Sequence, residues 1–117
     1  MKKIYLAGPY SHDSKLVKLK RFLDLNVKAA ELMEEGYLVF SPISHSHPIS
    51  KWVSKENSMS YDFWLAQDFW ILDICDELHI LCLDGWLESK GVLAEIARAK
   101  ENEMKIVHHY YIKGQRI

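Results

Sequence analysis

The sequence predicts an α/β domain built as three layers, α/β/α, around a parallel sheet of four or five strands. Three observations carry that expectation. Short apolar runs at residues 4–7, 37–40, 78–83 and 104–107 alternate with longer stretches of helical period. The runs are nearly continuous in apolar residues, as strands covered on both faces are. The stretch between the first two runs is long enough for a helical crossover, which parallel neighbours require.

The first run, Ile4-Tyr5-Leu6-Ala7, ends at Gly8-Pro9 and reads as a buried strand entering a tight loop. Tyr10 to Ser14 continues that loop and offers capping side chains. From Lys15 to Glu35 apolar residues recur at helical spacing: Leu16, Leu19, Leu23, Val27 and Ala30, with Phe22, Ala29 and Met33 beside them. Gly36 stops the helix as a C′ residue. Tyr37-Leu38-Val39-Phe40 is the second strand and Ser41-Pro42 ends it, completing a βαβ unit. Residues 43–60 read as an irregular binding loop with room for a short helix inside it. A helix from about Tyr61 to Cys75 follows. Its apolar stripe of Tyr61, Trp64, Leu65, Ile71, Leu72 and Cys75 is interrupted by Asp68, whereas Asp62, Asp73 and Asp76 fall on solvated positions. The run at 78–83 is the expected centre of the sheet. Ser89 is a good N-cap for a helix running to about Asn102. Met104 to Val107 is the fourth strand, which His108 to Ile112 extends or leaves as a tail.

Length and composition narrow the class. The chain has 117 residues, net charge −1 and 49% hydrophobic residues, which suits one domain over 1–117 with a core that needs no staples. The balanced charge argues against a nucleic-acid polymer or a membrane surface as partner. No apolar run has transmembrane length, and Met1-Lys2-Lys3 leads straight into a strand rather than a signal sequence. Cys75 and Cys82 read as reduced core cysteines of a cytoplasmic protein. The 14 aromatic residues are many for this length, and several lie in polar surroundings that suit a pocket or a subunit interface.

The chemistry gathers around two carboxylates. Glu95 lies in the second turn of the helix after Ser89, and helical side chains lean toward the N-terminus, back to the strand end. One turn earlier stands Gly91, with no side chain to block it. The competing reading is a surface Glu95 paired with Arg98. Asp68 on an apolar face costs free energy unless it is paired, protonated or open to a cleft. A purely structural Asp68 would bond to backbone N–H groups. Gly8, Ser41 to His47, and Asp84 to Ser89 all follow parallel strands, so they should share the carboxyl edge of the sheet, where such folds bind ligands. Two carboxylates there suit a nucleophile and a general acid acting at an electrophilic sugar carbon. Tyr5 would orient the nucleophile or the sugar. Main-chain N–H groups near Gly8 and Ser89 suit a phosphate or ribose hydroxyl. His45 and His47 sit two apart in an expected extended loop, on one side of the chain. They suggest a metal-dependent hydrolase only weakly, because no third and fourth ligands accompany them.

The stretch Ile4-Tyr5-Leu6-Ala7-Gly8-Pro9, then Asp68 eight residues before Asp76, then Ser89-Lys90-Gly91-Val92-Leu93-Ala94-Glu95 resembles, in that order, the nucleoside 2-deoxyribosyltransferase superfamily, which includes deoxynucleoside 5′-monophosphate N-glycosidases. Residues 41–49 together with Asp84-Gly85-Trp86 are similar to a small bacterial and phage branch of it. The resemblance implies a flavodoxin-like layout and cleavage or exchange of the N-glycosidic bond of a (deoxy)nucleoside or nucleotide. It implies Glu95 as the nucleophile at C1′, Asp68 as the acid at the departing base, and Tyr5 as the tyrosine beside the nucleophile. Gly8, Ser89 and Gly91 match positions lining the sugar and phosphate site. Pro9, Tyr10, His45, His47, Asp84 and Trp86 are further candidates for substrate contact, Trp86 as a stacking platform. No cofactor or metal is expected, and a homo-oligomer is. The alternative is a nucleotide-binding module on the same fold without turnover.

Overall fold

A computed structural model describes residues 1–110 of the chain; Tyr111 and Ile112 of the expected strand extension lie outside the described residues. The elements run β1 (Lys3–Ala7), α1 (Lys15–Glu34), β2 (Leu38–Phe40), α2 (Pro42–Ser50), α3 (Lys55–Ser58), α4 (Tyr61–Ile74), β3 (Glu77–Cys82), α5 (Lys90–Glu101) and β4 (Lys105–Tyr110). A single 3₁₀ turn, Trp86–Glu88, precedes α5. The four described strands form one all-parallel sheet in the order β2-β1-β3-β4.

Alternation along the strands divides the core in two. Tyr5, Ala7, Leu78, Ile80 and Cys82 face α4 and α5, against Leu72, Val92 and Ala99. Leu6, Leu81 and Leu83 face α1, against Leu25, Ala29 and Leu32. Helices therefore cover both faces, giving the expected three layers. All six residues of β3 are buried, Leu78 to Cys82 as the apolar run implied and Glu77 in addition.

Local chemistry accounts for the helix starts. The side chains of Ser14, Ser60 and Ser89 accept hydrogen bonds from Val17, Phe63 and Val92 N–H, capping α1, α4 and α5. Gly36 takes φ 101° just past the end of α1. Ser41-Pro42 ends β2 but also opens α2, with Pro42 at the first helical turn, where a missing N–H costs nothing. The expected irregular loop is thus mostly helix over its first half, and His45 to His47, expected to be extended, are helical.

Packing decides two further points. The stripe of Leu16, Leu19, Leu23, Val27 and Ala30 that signals α1 points to solvent, and the buried face is Leu25, Ala29 and Leu32. The central strand also carries a buried polar chain. His79 contacts Glu77 Oε1 at 2.9 Å and His109 at 2.8 Å, and Glu77 Oε2 accepts from Lys2 at 2.7 Å. Each buried group finds a partner, which makes polar residues tolerable there.

The chain leaves β1 through α1 on one face and leaves β3 through α5 on the other. The connections diverge between β1 and β3, and the crevice at their carboxyl ends is the natural ligand position of an open parallel sheet.

Candidate functional site

A cleft of about 1030 Å³ opens at that crevice, at the upper end of the roughly 300–1,000 Å³ usual for small-molecule sites. Its floor is the end of β1 at Gly8 and the start of α5. One wall is Tyr10, Lys18 and Arg21; a second is His47 and Ser50 of α2 with Lys51 just past its end; a third is Tyr61, Trp64, Leu65 and Asp68 of α4. The loop after β3 adds Asp84, Gly85, Glu88 and Ser89. Tyr61 donates to the Lys90 carbonyl at 3.1 Å, tying the start of α4 to the start of α5.

Glu95 is 6% exposed and lines the bottom of the cleft. Gly91, one turn before it, leaves open space: a Cβ there would meet nothing nearer than Ser89 Oγ at 3.9 Å. The Tyr5 hydroxyl, fully buried in the central sheet, donates to Glu95 Oε2. The surface pairing with Arg98 does not occur. Arg98 holds Asp73 through two bonds of 2.8 and 2.7 Å, and approaches Glu101 at 3.6 Å. Asp68 is half-buried and reaches the same cleft from α4, as a closed site requires.

Burial governs the electrostatics. Desolvation pushes the Glu95 carboxyl up to about 8; the Tyr5 hydrogen bond opposes that shift and the Asp68 charge adds to it. Desolvation alone raises Asp68 to about 6. The more enclosed carboxyl, with the more strongly raised value, is therefore Glu95, whereas the resemblance implies Asp68 as the acid. Between about 6 and about 8 the pair holds one proton and one negative charge. Tyr5 is pushed well above its ordinary value, first by burial and then by Glu95 and Asp68, so it stays a donor.

Gly8, Tyr10, His47, Asp68, Asp84, Ser89, Gly91 and Glu95 meet at the cleft, with Tyr5 directly beneath Glu95. Besides Tyr5, three candidates do not line it. Pro9 is fully buried. His45 lies against Phe40, with ring centres 5.7 Å apart. Trp86 lies over the edge strand, 5.4 Å from the His108 ring and 6.5 Å from Tyr110. Gly85 takes φ 91° at the turn immediately before Trp86, and the indole covers the flank of β4 in place of the cleft. Because α2 is helical, residues two apart diverge by about 200°, so His45 and His47 share no side. His47 instead meets the Tyr10 hydroxyl at 2.6 Å through Nδ1 and stacks on Phe22 at 4.2 Å. Burial and nearby Lys18 lower its basicity. No group of three or more metal-ligating side chains is found among the described residues.

Four cations of the cleft, Lys18, Arg21, Lys51 and Lys90, were not singled out from sequence. Arg21 also braces the site, donating to the Ser11 carbonyl at 3.0 Å and the Asp84 carbonyl at 2.9 Å. It thereby joins the loops after β1 and β3. Its only local signal was Lys18 one turn earlier on the same helix face. The φ of 91° favours glycine at 85, and a Cβ there would also press on Arg21 Nη2 at 2.9 Å, displacing the guanidinium from its bracing position.

The fold is an α/β domain whose sheet is open at its carboxyl edge, where buried Glu95 and half-buried Asp68 face a cation-lined cleft. The chain belongs to the family described as "Domain of unknown function (DUF1937)", which it matches over residues 2–111. That description assigns no activity. No match is found among curated proteins. Among the described residues no helix is long and apolar enough to cross a membrane.

Proposed function

We propose that this protein cleaves or exchanges the N-glycosidic bond of a nucleotide, with Glu95 as nucleophile and Asp68 as proton donor. The observation that carries the reading is that Glu95 at the floor and Asp68 in the α4 wall face one cleft, desolvated so that together they hold one proton near neutral pH. A double-displacement glycosidase needs one carboxylate and one carboxylic acid at the same moment.

The sequence of steps follows from that requirement. Glu95 as carboxylate attacks C1′ as the C1′–N bond breaks, and positive charge builds on the sugar. In the unliganded pair the proton resides on Glu95. Cationic character at C1′ favours ionised Glu95, as does the Tyr5 hydroxyl bond, so the proton passes to Asp68 and from there to the departing base. A water, or a second base, then attacks the glycosyl ester; Asp68 takes its proton and Glu95 leaves as carboxylate. The balance closes with no cofactor. Lys18, Arg21, Lys51 and Lys90 support a phosphorylated substrate over a neutral nucleoside, and the first-turn N–H groups of α5 suit the same oxygens. A cytoplasmic location and a homo-oligomeric state belong to the same reading.

The test is release of free base, followed by chromatography, from a panel of deoxynucleosides, deoxynucleotides and ribonucleotides, with Glu95→Ala alongside. Release by the wild type alone is the expected result, and adding a second base separates transfer from hydrolysis. Tight binding without product at any enzyme concentration would replace the enzyme by a nucleotide-binding module.

A further inference from the structure

The outer face of α1 is apolar along its length. Leu16, Leu19, Leu23 and Val27 are between 39% and 78% exposed, and Ala30 continues the line. Their spacings of three, four, four and three residues keep them within a narrow stripe on a straight helix. Leu25, Ala29 and Leu32, which bind α1 to the sheet, lie on the opposite side. A 20-residue helix presents this stripe over about 30 Å. An apolar stripe of this length on the solvent side marks a contact surface.

The charges on α1 indicate what covers it. Lys15 and Lys18 stand in the first turn and Glu31 and Glu34 in the last, with no acidic residue at the start and no basic one at the end. Such a helix has its charges arranged against its own dipole. An antiparallel copy reverses that disadvantage, because each basic end then lies beside an acidic end. Lys20 and Glu31, eleven residues apart, flank the stripe on one side. Each also pairs within its own helix, with Asp24 at 2.7 Å and Lys28 at 3.4 Å. In an antiparallel pair like flanks meet, so a two-fold axis near mid-helix brings Lys20 of each copy to Glu31 of the other.

From this complementarity we infer that the protein forms a homodimer by antiparallel packing of α1 on α1 of a second copy. Leu19, Leu23 and Val27 form the seam, and Lys20 and Glu31 set the direction. The opposite side of the same helix carries Lys18 and Arg21 into the cleft, so the dimer also stiffens one cleft wall. The inference gives the expected homo-oligomer a specific seam argued from α1 alone, and a failed seam would leave the carboxyl-pair chemistry of the cleft untouched.

Sedimentation velocity over a range of concentrations tests it. The wild type should sediment as a dimer. Leu23→Glu replaces a side chain that makes no core contact within its own copy, so it should leave the circular dichroism spectrum and cooperative unfolding intact, with the melting temperature lowered only by the lost association. It should raise the dimer dissociation constant about a hundredfold or more. Lys20→Glu and Glu31→Lys should each weaken the dimer several-fold, and the double variant, or a mixture of the two single variants, should restore it. A monomer at every concentration overturns the inference. So does an oligomer unchanged by Leu23→Glu, or a double charge swap no better than the singles, which would exclude the antiparallel arrangement.

Discussion

Replacing Glu95 by Gln should stabilise the protein above neutral pH while abolishing turnover. Burial raises the Glu95 carboxyl from 4.5 to about 8. Between those values the folded protein keeps a proton that the unfolded chain has released, so stability falls as pH rises across the window. Each pH unit there is worth about 1.4 kcal/mol. The full window amounts to about 5 kcal/mol, and pH 7 lies about 3 kcal/mol down the slope. Gln keeps the shape and still accepts from the Tyr5 hydroxyl, but it carries no charge to desolvate. The two proteins should match within about 1 kcal/mol at pH 5 and diverge steadily toward pH 8.5. Urea unfolding at several pH values reads this directly. With a slope of about 1–3 kcal/mol per molar urea, the variant's midpoint should lie about 1–3 M higher at pH 7. Parallel pH dependences for wild type and variant, or a variant less stable at pH 8, would refute the claim that Glu95 is buried against its charge. Strain of this sort at a reactive group is the usual trade between stability and activity.

The remaining predictions concern the same cleft. The kcat/KM profile should be bell-shaped, with limbs near 6 and 8: below the first both carboxyls hold protons and the nucleophile is lost, and above the second both are ionised and the acid is lost. Tyr5→Phe removes the bond that favours ionised Glu95, so the upper limb should move to higher pH in the same assay. Asp68→Asn should fold and bind ligand but lose about 10²–10⁴ in turnover, measured as kcat against Kd. Gly91→Leu fills open space beside Glu95, so calorimetry should show ligand binding abolished while the melting temperature holds or rises. Gly8→Ala places a Cβ 2.9 Å from Cδ2 of fully buried Leu25 and should cost about 1–3 kcal/mol in urea unfolding.

Much of this protein is legible in its sequence because the signals are local. Apolar runs, the serine caps at Ser14, Ser60 and Ser89, and the stop at Gly36 act through dihedral preference and hydrogen bonds within a few residues. Those features determine the strands, the main helices and the parallel connections, and with them the carboxyl edge to which Gly8, Ser89 and Glu95 belong. Asp68 was visible as an anomaly, a carboxylate interrupting an apolar stripe. What brings it to Glu95 is the packing of α4 beside α5, which no spacing records. Packing also decided which face of α1 is buried, since both of its sides carry apolar residues and only contact with β1 and β3 distinguishes Leu25 from Leu23. Arg21 reaches a carbonyl 63 residues away at Asp84, so its bracing role has no local sign. His45, His47 and Trp86 diverge from the sequence expectation for the same reason: one unforeseen helix and one left-handed glycine redirect side chains that a linear reading places together. Local sequence specifies which conformation each segment adopts, and the burial of one segment against another specifies which of its side chains share a site and how that burial shifts their protons.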